Sequence, residues 1–130
     1  MINKLAEEAH LNAQNKGFFD DEKNIGEMLC LIHSEVSEAL EADRKDKHTN
    51  VSEIVLGGLS DKNYGHIFND DEYFKHHFSV LVKDKFEDEL ADIMIRVMDL
   101  AAFKGVDLEK HIKAKMRYNS LREHKHGKKY

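Results

Sequence analysis

Residues 86–100 read FEDELADIMIRVMDL. Phe86, Leu90, Ile93, Met94, Val97, Leu100 and Ala101 recur at the three- and four-residue spacing of one helix face, and Gly105 stands where such a helix stops. Set into that apolar pattern are Glu89 and Asp92, one turn apart, with Lys85 and Arg96 each four residues outward. At about 100° per residue these four share a polar strip beside the apolar stripe, so the helix offers two oxygen ligands framed by cations. Acidic residues on a helix ordinarily face water and do no more than keep a chain soluble, and that is the competing reading here.

Working outward, the rest of the chain reads as further helices. Ile2, Leu5, Ala6, Ala9 and Ala13 predict a helix from residue 2 to about residue 16, which Gly17 ends, with Phe18 and Phe19 in the following loop. Asn24 and Glu27 form a capping-box spacing ahead of Ile25, Met28, Leu29, Ile32, Val36, Ala39 and Leu40, one continuous apolar stripe on a helix to about residue 46. Between residues 46 and 71 the pattern weakens. Asn50 and Glu53 can cap a short turn over 51–56 that Gly57 and Gly58 terminate, and the remainder, with Gly65, reads as an irregular surface excursion. Asp70 or Asp71 caps a segment bearing Tyr73, Phe74, Phe78, Leu81 and Val82, which leads into or continues as the helix quoted above. Asp107 caps a last helix with Leu108, Ile112 and Met116, which frays into the basic tail at about 122–130.

One hundred and thirty residues without a single proline, punctuated by seven glycines, favour an all-α chain forming one domain, 1–130. Four main helices imply an up-and-down bundle, with an irregular or partly helical insertion at about 47–70 between the second and third. The 20 Lys and Arg against 25 Asp and Glu give no general attraction to polyanions, so polymeric nucleic acid is not an expected partner. No apolar run approaches the roughly 20 residues that span a bilayer, the start lacks a basic head followed by an apolar run, and Cys30 is alone; a cytoplasmic protein without a membrane partner is expected.

The helix of residues 24–46 carries a second acidic pair in SEVSEAL, Glu35 and Glu38, with Glu35 close to the edge of the apolar face. If the two helices pack through their stripes, four carboxylates converge, and they repel one another unless a cation lies between them. An all-oxygen set suits Mg²⁺, with Mn²⁺ as a substitute, whereas zinc would call for cysteine or several histidines. A di-iron carboxylate site needs Glu-x-x-His on two helices, and this chain has one such spacing on an expected helix, Glu7 to His10, the other, Glu123 to His126, falling in the basic tail.

Glu35-x-x-Glu38 on one helix and Glu89-x-x-Asp92 on another, followed by GVDLEKHIKAKMRYN and a KHGKK tail, resemble the MazG-like all-α nucleoside triphosphate pyrophosphohydrolases. The likeness takes in KGFFDDEKNIGE, SEVSEALEADRK, FEDELADIMIRVMDLAAFKG and the last helix. Two features depart from it: Ser34 stands where many members have a further glutamate, and the spacer at 39–88 is long. The resemblance implies Glu35, Glu38, Glu89 and Asp92 as Mg²⁺ ligands, with Glu38 or Glu35 taking the proton of an attacking water. It implies Lys85, Lys115 and Asn119 as phosphate or nucleotide contacts. Arg117 and Arg122 are further cations for the phosphates, and Phe18 is a candidate to stack on a base. The implied reaction is hydrolysis of a nucleoside or deoxynucleoside triphosphate to the monophosphate and pyrophosphate, by a homodimer or dimer of dimers. A helical module that binds a nucleotide or a protein without catalysis is the alternative.

Overall fold

The computed structural model describes residues 1–61 and 70–130. Among them the chain is all-α: α1 (Ile2–Asn15), α2 (Ile25–Arg44), α3 (Glu53–Ser60), α4 (Asp71–Leu81), α5 (Phe86–Phe103) and α6 (Leu108–Ser120), with a 3₁₀ turn at His124–Gly127 and no strand. No helix among these residues is long and apolar enough to cross a membrane.

The helix ends follow from single side chains. Asn24 Oδ1 accepts from Gly26 N at 2.7 Å and Glu27 N at 3.3 Å to start α2. Asp70 and Asp107 do the same for α4 and α6 through Tyr73 N and Lys110 N. Gly17, at φ +83, closes α1, with Gly17 N reaching Gln14 O and Phe18 N reaching Ala13 O. Gly105, at φ +65, closes α5 with the same pair of bonds, to Ala102 O and Ala101 O. Asp46 occupies the corresponding left-handed position after α2, at φ 53, with Asp46 N on Asp43 O and Lys47 N on Ala42 O.

Several expectations change. The short helix is capped by Ser52, whose side chain accepts from Val55 N, and it runs through Gly57 and Gly58 to Ser60 instead of stopping there. Neither glycine carries the left-handed backbone that ends α1 and α5. α4 and α5 are separate helices, parted by a turn in which Asp84 is left-handed at φ 58. The excursion expected around Gly65 falls at 62–69, outside the described residues.

The α2 stripe splits in two. Met28, Glu35, Ala39 and Ala42 are buried and Ile32 half-buried, one row of a helix, whereas Leu29, Val36 and Leu40 form the adjacent row and are about half exposed. Glu35 therefore lies within the inward row and not at its edge. On α5, Leu90 and Met94 are likewise exposed, while Glu89, Met98 and Ala101 are buried.

Contacts group the chain into two units, Met1–Leu29 with Met94–Tyr130, and Cys30–Ile93. In the first, α1 packs on α6 near their starts: Asn3 Nδ2 donates to Asp107 Oδ1 at 2.8 Å and Asn3 Oδ1 accepts from Glu109 N at 3.0 Å. His10 Nδ1 meets Asp99 Oδ1 at 2.7 Å, and the His10 ring stands edge-on to Phe19, 4.6 Å between centroids. Phe19 therefore packs, and Phe18 is exposed. The second unit holds Ala39, Ala42 and Val82 buried beside Glu35 and Glu89.

A side chain at Gly105 would meet nothing within 4 Å, so only the backbone conformation opposes one there. Gly105→Ala is expected to lower stability by about 1 kcal/mol and Asp46→Gly to raise it by up to about 1 kcal/mol, both read from denaturant melts. Equal or reversed effects would contradict the capping assigned to these two positions.

Candidate metal centre

The Cys30–Ile93 unit brings together carboxylates that are far apart in sequence. Glu35 and Glu38 project from α2 and Glu89 from α5, and each offers an oxygen such that all three lie within 4.8 Å of one another. Glu35 is 7% exposed and Glu89 6%, while Glu38 is open to solvent. Glu35 and Glu89 are the buried charged residues among those described. Carboxylates at such separations repel, and burial removes the water that would screen them.

The cost falls on Glu89. Burial, and then the negative charges of Glu38, Asp92, Asp88 and Glu35, push its carboxyl up to about 7. A group that ionises near neutrality because it is dry and surrounded by acids is suited to losing its proton to a cation. The donor set is all oxygen, which matches a hard divalent ion such as Mg²⁺ or Mn²⁺. Asp92, half-buried, lies outside the group of three, although its charge is felt at Glu89. The histidine of the Glu7-x-x-His10 spacing is bonded to Asp99.

The backbone around the cluster is tied at the junction of α2 and α5. Phe86 N donates to Lys47 O at 2.9 Å, Thr49 N to Glu87 Oε2 at 2.8 Å, and Thr49 Oγ1 to Leu81 O at 2.9 Å. Lys85 is part of this junction, its Nζ donating to Leu81 O at 2.6 Å. The other expected contacts belong to the Met1–Leu29 and Met94–Tyr130 unit. There Lys115 Nζ and Arg122 Cζ stand 4.9 Å and 5.7 Å from the centre of the Tyr118 ring. Asn119 Oδ1 is buried without a hydrogen-bond partner among the described residues, and Arg117 is exposed.

Two polar pairings had no signal in the sequence. His10 meets Asp99 across 89 positions, and His48 meets Glu87 across 39. Neither histidine stands in a recognisable spacing with its partner, so only the folded chain reveals them.

No family model, curated protein or solved structure matches the chain. The functional reading therefore rests on the chemistry of this centre and on the motifs in the sequence.

The elevated Glu89 carboxyl has a stability consequence. Its folded value lies above the unfolded one, so ionising it costs the folded state, a cost that grows above about pH 4.5 and is complete above about pH 7. With metal chelated, Glu89→Gln is expected to melt above the parent protein at about pH 8, by the equivalent of roughly 2 kcal/mol, and to match it near pH 4.5. A variant less stable than the parent at the higher pH would contradict the burial of charge at Glu89.

Proposed function

We propose that the chain is a Mg²⁺-dependent nucleoside triphosphate pyrophosphohydrolase of the MazG-like type, built on a four-helix bundle to which α2 and α5 contribute the acidic pairs. The observation that carries this reading is the convergence of Glu35, Glu38 and Glu89 from two helices, with two of the three buried. A merely solvated acidic face would leave all of them in water. The ordered motifs of the sequence suggest the reaction class, and the acidic cluster supports it with three oxygen donors that could hold an ion.

In this reading Glu35, Glu38, Glu89 and Asp92 hold the ion. Bound there, Mg²⁺ would neutralise the triphosphate and make its α-phosphorus more electrophilic. Glu38, the solvent-facing member of the cluster, accepts the proton of a water whose oxygen bonds to the α-phosphorus. The bond from that phosphorus to the α–β bridging oxygen breaks, and pyrophosphate departs with the bridging oxygen. Lys85, Lys115, Arg117, Asn119 and Arg122 are the proposed phosphate and nucleotide contacts, and Phe18 a proposed base contact. For Lys85 this requires exchanging the Leu81 carbonyl for a phosphate oxygen.

The chain also exposes more apolar surface than one copy covers. Leu29, Val36 and Leu40 on α2 and Leu90 and Met94 on α5 are exposed, and among the described residues no large side chain is fully buried. These rows support assembly as a homodimer or dimer of dimers.

Incubation with a panel of nucleoside and deoxynucleoside triphosphates and Mg²⁺ tests the activity. Pyrophosphate and monophosphate are expected, with release falling on the order of a hundredfold or more in Glu38→Gln and Glu89→Gln. Binding without turnover by any member of the panel would favour the non-catalytic module, and release unchanged in both variants would overturn the ligand set. Sedimentation is expected to show a dimer or tetramer that Leu40→Glu or Leu90→Glu dissociates; a monomeric parent protein would refute the assembly.

A further inference from the structure

His48 lies in the segment between α2 and α3, and its ring joins two helices. Nε2 is 3.2 Å from Asp43 Oδ1 on α2, and Nδ1 is 3.2 Å from Glu87 Oε1 on α5. The ring also packs on Phe86, 5.1 Å between centroids. A neutral imidazole carries one N–H and one lone pair, so it can donate to one carboxylate only and turns a lone pair toward the other. Both contacts are hydrogen bonds only when both nitrogens carry protons.

We propose that His48 is a proton-operated clip, which when doubly protonated ties Asp43 of α2 to Glu87 of α5 and on losing one proton lets go of one of them, loosening that corner of the Cys30–Ile93 unit.

The surrounding contacts make the corner responsive. The charged groups facing the ring are Asp43 from α2 and Glu87 from α5; α4 presents the Leu81 carbonyl, which Thr49 Oγ1 and Lys85 Nζ occupy. Glu87 also accepts from Thr49 N at 2.8 Å, which anchors its carboxylate beside the ring. In return, the bond to Glu87 above all raises the affinity of His48 for its proton; burial opposes it, and the bond to Asp43 together with the charges of both acids leaves the net shift upward. The contribution of the clip is therefore complete below about pH 6.5, the ordinary imidazole value, and is lost as pH rises through the higher value that His48 has in the fold. Two neighbouring backbone amides, Thr49 N on Glu87 and Phe86 N on Lys47, report on the same corner. Since α2 carries Glu35 and Glu38 and α5 carries Glu89, the clip also steadies the register in which those acids meet. It does not depend on what they bind.

The test uses the full-length, metal-free protein. Nuclear magnetic resonance of the histidine rings is expected to show His48 titrating above the ordinary imidazole value, with both nitrogens protonated at its acid limit. Glu87→Gln is expected to shift that titration downward. Amide hydrogen exchange at Thr49 and Phe86, taken relative to the intrinsic rate at each pH, is expected to quicken roughly tenfold across the His48 titration, while Val106 in the other unit does not change. In His48→Gln both amides should exchange fast at every pH. A His48 that titrates at or below the ordinary value, or protection of Thr49 and Phe86 that does not follow it, would overturn the clip. Failure of Mg²⁺ to bind would overturn the proposed function and leave these readouts untouched.

Discussion

Two dry carboxylates within reach of each other are the constraint around which the Cys30–Ile93 unit is built. Glu35 and Glu89 occupy inward positions that an ordinary helical domain fills with leucine or valine, and Glu38 adds a third charge at the rim. Such a cluster opposes its own assembly, because ionising its members in a poorly solvated place costs free energy. The apposition is maintained elsewhere. The Thr49 bonds to Glu87 and Leu81, the Phe86 bond to Lys47 and the His48 bridge hold the end of α2 to the start of α5. Natural chains retain such local conflicts where function requires them, and under the proposed function a cation would relieve this one.

Much of this was legible in the sequence, for a physical reason. Helix ends are local: Asn24, Asp70 and Asp107 satisfy free amides within three residues, and Gly17 and Gly105 take a backbone conformation that few other residues accept. The acids to watch were also visible, because their spacing places each pair on one helix face. Which face turns inward was not. A helix such as α2 carries two adjacent rows of apolar residues, and periodicity alone assigns them to one stripe, whereas packing buries the row that includes Glu35 and leaves Val36 and Leu40 out. Gly57 and Gly58 misled for a related reason, since glycine ends a helix only where it adopts the left-handed conformation. Pairings such as His10 with Asp99 depend on distant segments meeting and leave no trace in local spacing.

The outward apolar rows and the inward acids have a common logic. A helix that turns carboxylates toward its own chain has fewer apolar side chains to bury there, and the surplus on the other row suits a second copy. In the proposed enzyme, association would cover Val36, Leu40, Leu90 and Met94 on the helices that carry the acids. Assembly and chemistry would then draw on adjacent faces of α2 and α5.

The central claim is that the buried acids form a seat for a hard divalent ion. Crystals grown with Mn²⁺ and measured near its absorption edge test it most directly. The account expects one or more anomalous peaks bounded by carboxylate oxygens of Glu35, Glu38 and Glu89. Absence of any peak there at saturating Mn²⁺, with these side chains turned apart into solvent, would contradict it.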